Sequence, residues 1–258
     1  MLWKGHRQSD RGHAAISETY GIERTLVLSE KWIMHGMAEN DVNCLNSVEK
    51  LANYIGQVGF LPLFRNAICG FSAEEHVPSD HWWTDDALDP WCWRMELARH
   101  ENIAYGKFFD GKAGFISKEW FPFFASAARD GYDFDARADE GLAKPDEKRV
   151  MALFNDRKYC DTTYLRTKSE LNKKFDITMT RLMQSSYLII SEFTQRINKN
   201  GEPYGWHIAI YETPENKWGY DHVTSAYRLT RQDAEDHIMQ KISSKFEADS
   251  FKNIFGWR

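Results

Sequence analysis

Residues 60–134 read FLPLFRNAICGFSAEEHVPSDHWWTDDALDPWCWRMELARHENIAYGKFFDGKAGFISKEWFPFFASAARDGYDF. This segment holds 17 of the chain's 37 aromatic residues. Aromatic rings are the largest apolar side chains, so the segment predicts either a rigid core or a flat-walled pocket. Charged residues lie among the rings, and such groups are rarely buried without partners. The segment is therefore either a core with internal salt bridges or a site.

Length and composition restrict the class of protein. A chain of 258 residues that is 42% hydrophobic can bury a large core. Its longest apolar run is far shorter than the roughly 18 residues of a membrane helix, and its first residues lack the apolar centre of a signal peptide. We therefore expect a cytoplasmic protein with no membrane partner. Four cysteines without a CxxC pair argue against a zinc knuckle and a disulfide scaffold.

The charge is unevenly distributed along the chain. The net charge is −5, but residues 157–200 contain nine basic and four acidic residues. A net charge of −5 counts against nucleic-acid binding, whereas a local surplus of cations is typical of a surface that faces a polyanion. The distribution therefore favours one basic surface on an otherwise acidic protein.

Cap, turn and periodicity signals predict the same order of elements twice. The first half contains a helix over 47–58, a helix over 90–99 and a hairpin over 102–117. The second half contains three short helices and then a hairpin that turns at Asn200-Gly201. Helices followed by a hairpin are typical of a winged helix-turn-helix. We therefore predict an α+β fold, predominantly α, with two winged helix-turn-helix units in tandem and short β-hairpin wings.

The predicted fold divides the chain into four parts. Residues 1–40 form an N-terminal extension of uncertain structure, and 41–135 form an aromatic-rich first lobe. Residues 136–148 are polar and rich in turn-forming residues, which is typical of a linker. Residues 149–258 form the second lobe, which closes with a C-terminal helix.

The second predicted unit carries cations where a winged helix contacts DNA. Its third helix normally enters the major groove, and its hairpin touches the phosphate backbone. Since Lys and Arg also cover ordinary helix surfaces, a solvated exterior is the alternative interpretation. The predicted DNA contacts are Lys168, Lys173, Lys174, Arg181, Arg196 and Lys199.

Two groups of carboxylates are candidates for acid or base chemistry. Glu75 lies in SAEEH, between Gly-Phe and the Trp pair, where apolar neighbours could surround it. If residues 133–137 are extended, Asp133 and Asp135 share one face, and the charge of Asp135 would raise the proton affinity of Asp133. Salt bridges to Arg94, Arg129 or Lys107 are the alternative role. No histidine spacing supports a metal site, and we expect no cofactor.

Several of these segments together resemble a known family. GFLPLF, GFSAEEH, DPWCWR, YGKFFDGKAGFIS, GYDFDAR and YGWHIAIYETPE are similar to the AlkZ-related bacterial proteins, over roughly residues 45–245. Those proteins are grouped with the tandem winged-helix DNA glycosylases of the AlkZ and YcaQ family. The active glycosylases carry a Gln-apolar-Gln or Gln-apolar-Asp motif that positions water. The nearest match in this chain, Gln8-Ser9-Asp10, has a polar centre, so we do not transfer the catalytic role to it.

The resemblance implies a DNA-binding protein that excises or recognises an alkylated or otherwise modified base. Such a protein must extrude and stack the nucleotide, and it must support positive charge on the sugar. In that interpretation Trp82 and Trp83 stack on the base, and Glu75 or Asp133 orients water. The remaining predicted pocket residues, which contact phosphate or the base edge, are Arg94, Tyr105 and Lys107.

Two other classes of function stay open. In one, the chain is a non-catalytic winged-helix regulator or adaptor, and the aromatic segment is simply core. In the other, it is an enzyme that acts on a small molecule in an aromatic pocket without DNA.

Overall fold

A computed structural model describes residues 34–247 and 251–257 of the protein. Most of the predicted N-terminal extension over 1–40 therefore lies outside the described residues. The Gln8-Ser9-Asp10 segment also lies outside them.

Helices α1 (Val48–Val58) and α2 (Pro90–Arg99) begin at the local signals that predicted them. The Ser47 hydroxyl accepts from the backbone N–H of Lys50 at the start of α1, and Gly59 ends this helix at φ 83°. The Asp89 carboxylate accepts from the backbone N–H of Trp91 at the start of α2. The helices are α1 Val48–Val58, α2 Pro90–Arg99, α3 Phe121–Arg129, α4 Phe134–Asp139, α5 Pro145–Met151, α6 Thr162–Ser169, α7 Phe175–Gln184, α8 Pro214–Trp218, α9 Tyr220–Val223, α10 Arg231–Ser243 and α11 Lys252–Phe255.

The described helices are short. The longest, α10, has 13 residues. Among residues 34–247 and 251–257, none combines the length and the apolar character needed to cross a membrane.

The six strands found within residues 34–247 form one antiparallel sheet in the order β1-β3-β2-β5-β6-β4. Both predicted hairpins are confirmed. The first turns at Asp110 and Gly111, and the second has Gly201 at φ 82°; positive φ values suit tight hairpin turns. The strands are β1 Phe60–Pro62, β2 Ile103–Phe109, β3 Lys112–Ser117, β4 Cys160–Asp161, β5 Ile189–Ile197 and β6 Pro203–Glu212.

The two hairpins are joined edge to edge rather than standing apart as separate wings. Tyr105 of β2 pairs with Ile190 of β5, so one sheet runs through both halves of the chain. The predicted linker over 136–148 also contains regular structure, because α4 and α5 occupy much of it. The chain thus has a mixed α and β fold, while the winged-helix arrangement and the division into two lobes stay predictions.

A single hydrophobic core covers this sheet and includes residues from both halves. Helix α7 packs on β2, and α10 packs on α3. The aromatic residues after α10 return to the first half: Phe251 contacts Phe71, and Phe255 contacts Phe60 and Phe124. Most of the aromatic segment over 60–134 is therefore core.

Trp93 tests the core interpretation. Its side chain is 1% exposed and its indole N–H donates to the Ala87 carbonyl at 2.9 Å. We expect Trp93→Ala to lower the free energy of unfolding by about 3–5 kcal/mol, because truncation leaves a large cavity. Chemical denaturation measures this change. The matched control, Trp206→Ala, should stay within about 0.5 kcal/mol since Trp206 is 72% exposed; equal losses in both variants would contradict the core assignment.

Candidate active site

A cavity of ≈ 430 Å³ lies where α3, α4 and α5 meet the segments on either side of the second hairpin. This volume is within the range of about 300–1,000 Å³ typical of small-ligand pockets. Charged and aromatic side chains from both halves of the sequence line the cavity. They include Arg129, Asp133, Phe134, Asp135, Lys148, Tyr187, Glu215 and Tyr220.

Arg129, at the end of α3, forms one wall and is 1% exposed. Its guanidinium donates to the Ser186 hydroxyl at 2.9 Å, the Ser186 carbonyl at 2.6 Å and Glu215 Oε1 at 2.5 Å. The guanidinium carbon also lies 4.7 Å from the centre of the Tyr187 ring. Burial alone would lower the pKa of Arg129, but the Glu215 carboxylate and the Tyr227 hydroxyl raise it. The guanidinium is therefore a fixed positive charge inside the protein.

Asp133 occupies the N-cap position of α4 and directs its carboxylate into this cluster. Its Oδ2 accepts from the Tyr220 hydroxyl at 2.8 Å. That hydrogen bond is the largest cause of the raised pKa of Tyr220. The other oxygen, Oδ1, is buried and has no hydrogen-bond partner among the described residues. A buried acceptor without a partner is costly, so Oδ1 is the atom best placed to accept from a ligand or a water.

The prediction that Asp133 and Asp135 share one face of an extended segment is wrong. Asp135 lies in the first turn of α4, because residues 134–139 are helical. Both carboxylates nevertheless line the cavity.

Two further tyrosines complete the cluster. The Tyr227 hydroxyl accepts from Arg129 at 3.0 Å, and burial raises the pKa of Tyr227 to about 12. The Tyr187 hydroxyl donates to the Tyr132 carbonyl at 2.9 Å, and burial raises the pKa of Tyr187 as well. Both phenols are therefore neutral near pH 7. Tyr187 also packs edge-on against Phe134, with ring centres 5.2 Å apart.

This arrangement suits a planar ligand that donates hydrogen bonds. The rings of Phe134 and Tyr187 supply apolar surface, and Asp133 supplies an acceptor. Glu215 adds a third carboxylate to those of Asp133 and Asp135, and its charge is compensated by Arg129. Residues 34–247 and 251–257 contain no group of three or more His, Cys, Asp or Glu side chains able to hold a metal ion.

Glu75, the other predicted catalytic carboxylate, does not line this cavity. It accepts from the backbone N–H of Gly70 at 2.9 Å and from the Ser72 hydroxyl at 2.6 Å, and it lies 3.9 Å from Arg65. These bonds hold the turn over residues 70–76. The catalytic role of Glu75 stays a prediction, but these contacts give the residue a structural role.

Four of the predicted pocket residues gather in a different cluster, and none of the four lines the cavity. Trp82 contacts Trp83, with ring centres 5.8 Å apart, and Trp83 contacts Trp91. The Arg94 guanidinium carbon lies 3.5 Å from the centre of the Trp91 ring. Tyr105 joins this group through Phe193, which Arg94 also contacts.

This cluster is packed. Trp82 is 6% exposed and Tyr105 is 2% exposed. A base could stack on Trp82 only if the indole left this packing, so the stacking role stays a prediction. Lys107 follows Tyr105 on β2, and burial lowers the pKa of Lys107 although Asp176 opposes the shift.

Five of the six predicted DNA contacts are exposed and form two groups, and the sixth, Arg181, is partly buried. Lys168, at the end of α6, and Lys173 and Lys174, before α7, are exposed. Arg196 and Lys199 are exposed on the second hairpin.

Arg181 corrects the prediction of a free cation on the third helix. It donates to Asp146 Oδ2 at 2.5 Å and to Glu147 Oε1 at 2.9 Å. These bonds tie α7 to α5, so Arg181 is not available for a phosphate without breaking them.

Four residues of the cluster carry no signal in the sequence: Glu215, Tyr220, Tyr187 and Tyr227. Thr213-Pro214-Glu215 reads as an ordinary helix start: the Thr213 hydroxyl accepts from the backbone N–H of Asn216, and Glu215 lies in the first turn of α8. Only the fold brings these residues to Asp133, so no spacing along the chain could indicate them.

Glu215→Gln tests how much of the cluster depends on charge. The change leaves the cation of Arg129 buried without its counter-charge, so we expect a loss of about 3–5 kcal/mol in the free energy of unfolding. Arg129→Met with Glu215→Gln should cost less than the sum of the single changes. Denaturant titration measures all three variants. The exposed Glu140→Gln is the control and should stay within about 0.5 kcal/mol; additive losses would show that the pair is not coupled.

Comparisons with known proteins agree with the sequence motifs. Residues 45–255 match the model of a family described as AlkZ related. No curated protein and no solved structure matches the chain. Since the matched residues cover well over half of the 258, the chain belongs to the AlkZ-related family.

Proposed function

We propose that the protein binds DNA and acts as a glycosylase, recognising a modified base and releasing it from its sugar. The second hairpin, β5–β6, holds the duplex, and the cavity beside Asp133 receives the extruded base. Membership of the AlkZ-related family supports this assignment. The proposal rests on one observation: aromatic and cationic side chains on the outer half of the hairpin are exposed to solvent.

The hairpin is buried at its base and exposed at its tip. Along β5, burial ends after Ser191, and along β6 residues 203–207 are exposed. Near the tip Trp206 is 72% exposed and Ile197 is 61% exposed. Large apolar side chains at such exposure are typical of binding surfaces. We assign this end of the hairpin as the binding surface.

The charges at the tip favour a polyanion as that partner. Arg196 and Lys199 are exposed, and Glu202 is held by the Asn198 side chain at 3.0 Å. A two-stranded ribbon fits the major groove of B-DNA, and aromatic side chains stack on bases or wedge between them. Trp206 therefore supplies a contact to the bases, and the two cations supply contacts to the phosphates.

We infer a winged-helix unit in the second half of the chain. Helices α5, α6 and α7 precede the hairpin, and β4, between the first two helices, pairs with β6. This order supports the inference because three helices and a hairpin wing make up that motif. The exposed lysines before α7 then lie at the helix that normally faces DNA.

The chemistry assigned to the cavity is hydrolysis of the bond between base and sugar. Extrusion places the base in the cavity against the apolar surface of Phe134 and Tyr187, which replaces part of its stacking in the duplex. The Asp133 carboxylate accepts a proton from the water that adds to the sugar carbon, while the base leaves with the electrons of the broken bond. Its negative charge also stabilises the positive charge that develops on the sugar.

The hairpin cations test the DNA interface. We expect Arg196→Glu with Lys199→Glu to weaken duplex binding at low salt at least about tenfold, and to lower the salt-dependence slope by about 2, because two phosphate contacts are lost. Fluorescence anisotropy over a salt series measures both quantities. Arg228→Glu with Lys245→Glu makes the same charge change at exposed positions away from the hairpin. Equal weakening by this control, or no binding by the wild type, would refute the interface.

Asp133→Asn tests the chemistry. We expect release of N-alkylated purines from DNA to fall about 100-fold or more, because the proton acceptor is lost, while DNA binding and Tm stay unchanged. The assay is release of labelled base in a single turnover. Asp139→Asn, exposed at the end of the same helix, is the control and should keep full activity. A wild type that binds DNA and releases no base from such a panel would instead indicate a lesion-binding or regulatory protein.

A further inference from the structure

A second cavity, of ≈ 250 Å³, adjoins the cavity beside Asp133. The two cavities share Phe154, Asn155 and Thr213 as wall residues. They are therefore neighbouring compartments, here together called the groove, and their shared wall consists of an aromatic ring and two neutral polar side chains.

The two compartments carry opposite charges. Three carboxylates and two cations line the first, Asp133, Asp135, Glu215, Arg129 and Lys148, and Arg129 is bound to Glu215. Arg157 and Lys158 line the second.

The basic compartment has few internal partners. Among the described residues, neither Arg157 nor Lys158 forms an ion pair. Asp156 is the single carboxylate in its wall, and it is exposed. The Arg157 guanidinium carbon lies 4.5 Å from the centre of the Tyr164 ring, and this stacking restricts the orientation of a group suited to bind phosphate through paired hydrogen bonds.

The acidic compartment offers a hydrogen-bond acceptor to a ligand. Asp133 Oδ1 is buried and lacks a hydrogen-bond partner within the described part of the chain. A ligand that matches the whole groove has a planar hydrogen-bond donor at one end and an anion at the other. Between them, the Asn155 amide is free to contact a sugar, since it makes no hydrogen bond to a described residue.

We propose that the second cavity is a phosphate subsite and that the groove takes one nucleotide. The base lies beside Asp133, and the phosphate lies between Arg157 and Lys158. This inference rests on the proposed function and extends it from a base pocket to a nucleotide site. The nucleotide is either an extruded unit of DNA or a free nucleoside monophosphate, because both present the same chemistry to the groove.

Calorimetric titration of the full chain tests the subsite with a matched pair of probes. They are 7-methylguanosine 5′-monophosphate and 7-methylguanosine, which lacks only the phosphate. We expect the nucleotide to bind at least about tenfold more tightly than the nucleoside. Arg157→Glu with Lys158→Glu should abolish this difference and leave nucleoside binding unchanged. The control is again Arg228→Glu with Lys245→Glu, which should keep the difference.

The outcomes separate this inference from the function on which it rests. Equal affinities for the two probes, or the same loss in the control, overturn the phosphate subsite whether or not the protein binds DNA. A tenfold preference for the nucleotide without duplex binding at low salt upholds the subsite, overturns the DNA function and identifies a free nucleotide as the ligand. Slower base release from DNA in the Arg157→Glu with Lys158→Glu variant, at saturating protein, identifies the extruded nucleotide instead.

Discussion

Arg129 places a positive charge where water does not reach it, at the junction of the two halves of the chain. The loss of hydration is large for such an ion, and it is offset only when the surrounding groups supply several well-placed acceptors. Here the acceptors come from Ser186, Glu215 and Tyr227, all in the second half. The guanidinium can therefore be buried only when the second half has folded against α3.

The cavity depends on that burial. Asp133 follows Arg129 by a short turn, whereas Tyr187 and Glu215, two of the residues that face it, flank the second hairpin. If the bonds of Arg129 were broken, the first-half and second-half walls of the cavity would lose the ion pair with Glu215 that joins them. A site built in this way therefore exists only in the complete fold.

Local structure could be predicted from the sequence, and the site could not. Ser47, Asp89-Pro90 and Asn200-Gly201 act on their own neighbours, so their signals were sufficient to fix helix starts and a turn. Asp133 was identified as a candidate for the wrong reason, since its segment is helical. Its actual environment comes from Tyr220, which is remote in sequence. Glu75 has apolar neighbours in the sequence, which suggested a carboxylate in an apolar pocket. Those neighbours do not indicate that Gly70 and Ser72 donate hydrogen bonds to its oxygens.

Because Phe255 packs into the first-half core, that core can be completed only after Phe255 has been synthesised. Phe255 contacts Phe60, Phe109 and Phe124, three rings made much earlier. At about 5–20 residues per second, a ribosome needs on the order of ten seconds or more to add the residues between Phe60 and Phe255. During that interval the nascent chain holds an unfinished aromatic core, which makes it a natural client for chaperones that shield apolar surface.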